Sequence, residues 1–171
     1  MTEVSINKQA RLSQHFTLGE LCKTSVKTAD GNIPSRVHIE NLKRLCGWLE
    51  TLRDEWNKRY VFRGERRENR GERYDEEPII INSGYRSPAV NKAVGGASNS
   101  NHLTGCAVDI RCYGIEQALR YATTLLDIAD ESREPFDELL LERSPRGTYW
   151  LHFAVRPPSQ ENRRKIRLIQ T

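Results

Sequence analysis

The sequence predicts a single α+β domain with a small antiparallel sheet flanked by helices. Helical apolar spacing stands near both ends, short strand-like runs lie between, and no βαβ alternation appears. The third observation is size. At 171 residues, 37% hydrophobic and 29% charged, the chain is about one domain long and can bury a core without disulfide or metal support.

The elements follow in order. Phe16 to Glu20 opens a short helix, with Thr17 and Glu20 at capping-box spacing. Ser25 to Pro34 reads as a polar loop with an Asp30-Gly31 turn. The longest helix is expected from about Ser35 to Tyr60, where Leu42, Leu45, Leu49, Leu52 and Trp56 recur at steps of three and four. Arg63 to Glu77 is almost all Arg and Glu and predicts an exposed, mobile insertion. Pro78 to Asn82 is a strand, and Ser87-Pro88 starts a short helix that Gly95 and Gly96 end. Cys106 to Cys112 is a second strand. An amphipathic helix follows from Ile115 to Asp130, its apolar side being Leu119, Ala122, Leu125, Leu126 and Ala129. Strands over Phe136–Glu142 and Thr148–Val155 precede a last helix from about Ser159.

Charge and cysteine usage narrow the function classes. The net charge is +4, but the basic residues form no single block. Arg163, Arg164, Lys165 and Arg167 are mixed with Ile166, Leu168 and Ile169, and we read them as a solvated helix face rather than a nucleic-acid surface. No apolar run approaches the ~20 residues that a spanning helix needs. The N-terminus shows no basic cluster followed by an apolar stretch, so no secretory signal is visible and synthesis in the cytoplasm is expected. Cys22, Cys46, Cys106 and Cys112 form no C-x-x-C pair and read as structural, reduced thiols.

Chemistry concentrates on two of the four histidines. His15 and His38 lie among polar neighbours in or beside helices, as surface histidines do. His102 sits in the turn-rich stretch Asn99 to Gly105. Seven residues on, Asp109 falls inside the apolar strand Ala107–Ile110, where a carboxylate needs a partner or a metal. An Asp pairing with an Arg would equally explain it. In Tyr149 to Val155, alternation sets Tyr149, Leu151, Phe153 and Val155 on a core face and Trp150, His152 and Ala154 on the other. Two His and one Asp make the three-ligand set of a catalytic zinc, though His152 alone could be a satisfied inner-face residue.

The stretch Ser100-x-His102-x-x-Gly105-x-Ala107-x-Asp109 resembles the S-x-H-x-x-G-x-A-x-D signature of peptidase family M15. Trp150-Leu-His152 is similar to that family's W-x-H, and Ser83-Gly-Tyr-Arg86 to its S-G-Y-R. The family comprises D-alanyl-D-alanine carboxypeptidases, D-Ala-D-Ala dipeptidases and phage endolysins, and shares its zinc core with the hedgehog domain. The resemblance implies a hedgehog/DD-peptidase-like fold and one zinc ion on His102, Asp109 and His152. It implies that Arg86 faces substrate carboxylate or oxyanion, that Ser100 orients substrate or a ligand, and that Trp150 borders the substrate. Implied with these are peptidoglycan or its stem peptides as substrate and action at the periplasm or cell wall; a monomer is expected. Many members place an acid three residues before the last histidine, where this chain has Tyr149. The substitute is Glu142, which shares a strand face with Glu138 and Leu140, with Asp137 and Glu138 as fallbacks. The rival reading, a zinc-binding module without catalysis, draws on Tyr149.

Overall fold

The computed structural model describes residues 7–61 and 76–170. Most of the expected insertion at 63–77 therefore lies outside the described residues.

Helix α1 (Leu18–Leu21) begins on Thr17, whose side chain and that of Glu20 cap each other's backbone amides as the spacing predicts. Helix α2 (Arg36–Trp56) starts on Ser35 and continues as a π-helical turn over Asn57–Val61. Its cap is reciprocal too, but His38 takes the place usually held by Glu: its Nδ1 accepts from the Ser35 amide at 3.2 Å. The other expected surface histidine, His15, is half-buried against Glu50 at 2.6 Å. Leu42, Leu45, Leu49 and Leu52 of α2 are fully buried, each contributing roughly 1.5–3 kcal/mol of burial free energy.

The strands β1 (Ile81–Ser83), β2 (Ala107–Arg111), β3 (Glu138–Arg143), β4 (Tyr149–Ala154) and β5 (Lys165–Gln170) form one sheet in the order β1-β2-β4-β3-β5. Between β1 and β2 lie α3 (Pro88–Ala93) and a 3-10 turn over Asn101–Thr104, and α4 (Ile115–Ser132) links β2 to β3. Two expectations are corrected here. The segment expected as a last helix from Ser159 is a strand, and it pairs parallel to β3, Lys165 opposite Glu138 and Arg167 opposite Leu140. The sheet is therefore mixed rather than antiparallel. The physical reason is in Lys165 to Leu168, where polar and apolar residues alternate with period two, the strand period, not the helical 3.6.

Helices α2 and α4 cover one face of the sheet. Trp48 meets Phe153 with ring centroids 5.2 Å apart, and Trp56 meets Tyr121 at 4.6 Å. Val108, Ile110, Leu139, Leu151 and Phe153 point into this core. On α4 the buried side is Ala118, Tyr121, Leu125, Ile128 and Ala129, while Leu119, expected inside, is 49% exposed. All four cysteines are buried and free. No helix among the described residues is long and apolar enough to cross a membrane. The sheet's second face, alternating with the first, carries the residues that follow.

Candidate metal centre

The segment after β1 is fixed from below. Asn32 donates through Nδ2 to the carbonyls of Cys22 (2.9 Å) and Tyr85 (3.2 Å), and its Oδ1 accepts from the Ser87 amide at 2.7 Å. Tyr85 donates its amide to the Leu21 carbonyl at 2.7 Å, and its ring stacks on His38. Gly84 sits where a Cβ would lie 2.3 Å from the Leu21 oxygen, so only glycine fits that approach. This rigid turn meets the histidine loop twice: Gly84 O lies 2.6 Å from His102 Nδ1, and the Arg86 amide donates to His102 O at 3.1 Å.

The histidine loop explains its own motif. Ser100 caps the 3-10 turn, its Oγ accepting from the His102 amide at 3.3 Å. Gly105 ends the turn at φ +70°, and a Cβ there would lie 2.7 Å from the His38 carbonyl oxygen. The loop then enters β2, which delivers Asp109 directly opposite His152 of β4.

Three donors converge at the floor of a cleft of about 610 Å³. Asp109 Oδ1 lies 3.2 Å from His102 Nε2 and 2.9 Å from His152 Nδ1, and the two imidazoles stand edge to face, 5.0 Å apart. All three residues are buried, and their ligand atoms lie within 4.8 Å of one another. Tethering of His102 Nδ1 to a backbone carbonyl leaves Nε2 as the atom presented to the cleft, the usual device for orienting a metal-binding histidine. Two imidazole nitrogens and one carboxylate fit zinc, with a position left for water or substrate.

The electrostatics set the two histidines apart. Burial lowers the pKa of His102, against the Asp109 charge, which favours the neutral, ligating imidazole. Burial would also lower His152, but its bond to Asp109 and contact with Glu138 push it up to about 9. Asp109 is held below the carboxylate range: burial opposes ionisation, and His102 and His152 outweigh it.

The structure brings Arg86, Ser100, Glu142 and Trp150 to the same cleft. Arg86 is engaged there with protein groups. Its Nε donates to Ser83 Oγ at 2.8 Å, and its Nη2 pairs with Asp109 Oδ2. It therefore holds the Asp109 carboxylate in place while lining the cleft. Glu142 stands opposite Trp150 across β3 and β4, and makes no hydrogen bond or ion pair among the described residues. Burial raises its pKa, with the Asp109 and Glu138 charges adding to the rise against His152 and Arg86. Tyr149 packs against the core cluster on the other face.

The two fallback acids are committed elsewhere. Asp137 is fully buried between Arg163, Arg156 and Asn101. Glu138 faces the cleft, but Oε1 is held by Lys165 (2.9 Å) and Arg163 (3.0 Å), and Oε2 by Asn101 Nδ2 at 3.0 Å. Arg163 and Lys165, which also line the cleft, were not among the expected site residues. For Lys165 the signal that could have found it is the period-two pattern that makes its segment a strand; Arg163 lies just before that strand.

A family model described as Peptidase M15 matches residues 68–129, a stretch that contains Arg86, His102 and Asp109. Over these residues the chain is similar to peptidase family M15. It is also similar to a zinc D-Ala-D-Ala carboxypeptidase of Streptomyces albus G, 51% identical over 35 residues. That match covers 20% of this chain and 14% of the relative. The M15 match ends before β3, so Glu142 and His152 rest on the geometry described above rather than on that alignment.

Proposed function

We propose that this M15-like protein is a zinc peptidase that hydrolyses D-amino-acid-containing peptide bonds of peptidoglycan. The observation that carries the reading is one cleft holding a His102–Asp109–His152 donor set beside a half-buried acid, Glu142, that has no partner among the described residues. The family match and the carboxypeptidase relative support the same chemistry.

Zinc held by His102 Nε2, Asp109 and His152 Nδ1 would supply a Lewis acid that polarises a carbonyl and eases ionisation of water near neutral pH. The chain's own residues supply the rest. Glu142, with its raised pKa and free oxygens, accepts a proton from the attacking water and returns it to the leaving amine. Arg86 steadies Asp109 and places positive charge beside the carbonyl oxygen as negative charge develops there. Trp150, on the strand position facing Glu142, offers an aromatic wall to the peptide. Action at the cell wall and a monomeric state belong to the same reading.

A zinc-binding module without turnover is the rival, since Tyr149 stands where many relatives have an acid. Glu142 in the cleft favours catalysis. The test is incubation of the purified protein with peptidoglycan and with a peptide ending in D-Ala-D-Ala, with and without chelator, and product masses as readout. Chelator-sensitive release of D-Ala indicates a carboxypeptidase, and release of cross-bridge fragments an endopeptidase. Zinc binding with no product from either substrate would establish the silent module instead.

A further inference from the structure

The strand β5 brings a layer of charge to the cleft that the hydrolytic scheme leaves unused. His102 is oriented from behind by a backbone carbonyl, and Asp109 by Arg86. His152 has its counterpart in Glu138. With Nδ1 turned to Asp109, His152 presents its other nitrogen, Nε2, to Glu138 Oε2 at 3.4 Å. Nε2 is buried and makes no hydrogen bond of good geometry among the described residues. Glu138 cannot swing away to solvent, because Lys165 and Arg163 grip Oε1 and Asn101 grips Oε2. Lys165 is placed for this by register, being the β5 residue paired with Glu138. Arg163 is placed in turn by Asp137, to which it donates at 2.8 and 2.7 Å.

We propose that Glu138, clamped by Lys165 and Arg163, is a positioning residue that receives the Nε2–H of His152 and so keeps Nδ1 directed at the metal. The inference rests on the zinc-site reading above. A carboxylate behind a ligating imidazole fixes the tautomer and ring angle and makes the nitrogen a better donor; loss of such a partner typically weakens metal affinity about ten- to a hundredfold. β5 is then part of the metal centre without touching the metal. Its cations hold the acid that holds the ligand.

The test is zinc affinity of the full chain by competition with a chromophoric chelator, alongside the His152 imidazole N–H signal of the zinc-loaded protein in ¹⁵N spectra. Glu138→Ala should bind zinc about ten- to a hundredfold more weakly and lose the protected Nε2–H signal. Glu138→Gln, which keeps an acceptor oxygen, should recover much of both. Lys165→Met should weaken binding less, in the same direction, and Lys165→Arg should restore it. The lysine pair is decisive if Glu138→Ala does not fold. Equal affinity and an unchanged N–H signal in the variants would overturn the inference while leaving the zinc site intact. Failure of the parent chain to bind zinc at all would overturn the metal-site reading and this inference with it.

Discussion

His102 Nδ1 faces the carbonyl oxygen of Gly84 at 2.6 Å, so the turn after β1 decides which imidazole nitrogen enters the cleft. Gly84 can place its carbonyl there because nothing stands between its Cα and the Leu21 oxygen. Gly84→Ala should cost about 1–3 kcal/mol, as overpacking of a tight contact does, and should weaken zinc binding through the displaced His102. Denaturant unfolding and a zinc titration measure both; an unchanged midpoint would show that the contact relaxes freely.

The three candidate ligands are expected to differ in what their loss does to folding. His102→Ala should abolish tight zinc binding yet leave the sheet intact, since His102 belongs to a loop turn. Asp109→Ala should also destabilise the zinc-free protein, by about 3–5 kcal/mol, because it strands Arg86 and His152 without their shared partner. Comparing unfolding free energies of the two variants in chelator checks this, and similar values would count against the buried network.

The pH dependence has a defined sign. In the zinc-free protein His152 is pushed up to about 9, above its ordinary value of ~6.5 in an unfolded chain. Its contribution to stability is thus complete below pH ~6.5 and is lost as pH rises through about 9. Asp109 and Glu138 are held below the usual carboxylate range, so their contributions are present above pH ~4 and fade in acid. Melting in chelator should therefore decline from pH 6.5 to 9.5, and His152→Ala should lack that part of the decline. Zinc affinity should run the opposite way, rising over the same window as His152 sheds its proton.

Glu142→Gln should retain zinc and stability while turnover on a D-Ala-D-Ala peptide falls about 10²- to 10⁴-fold, the usual weight of a general base. Activity that survives this change would move the proton-transfer role to another group.

Much of this was legible in the sequence, for local reasons. The ligand loop could be read because Ser100, His102, Gly105, Ala107 and Asp109 stand at the spacing of the M15 signature, and the structure gives two of them local work, Ser100 as a cap and Gly105 at a positive φ. The face of His152 followed from alternation in β4, and that of Glu142 from alternation in β3. What was not legible depends on distant pairing. Gly84 is dictated by a carbonyl on α1, sixty-odd residues earlier in the chain, and nothing near it announces that approach. β5 resists local reading because Arg163, Arg164, Lys165 and Arg167 form a cluster in which only Lys165 and Arg167 alternate with apolar residues. Its parallel partner β3 lies more than twenty residues away, beyond the reach of local pattern. Leu119 fits the helical period yet lies outside the core, since Tyr121 and Ile128 shift the buried stripe of α4.

Asp109 and His152 sit on adjacent strands locked by a continuous ladder, whereas His102 is carried by a short 3-10 turn. Attachments of unequal lifetime are expected for a zinc ion held there. The turn can open in a local fluctuation that leaves the ladder closed, so exchange of zinc with a chelator should begin at His102 and pass through a species held by the two strand residues alone. The rate at which the protein gives up its ion would then be set by the mobility of a few loop residues, and the strength with which it keeps it by the sheet.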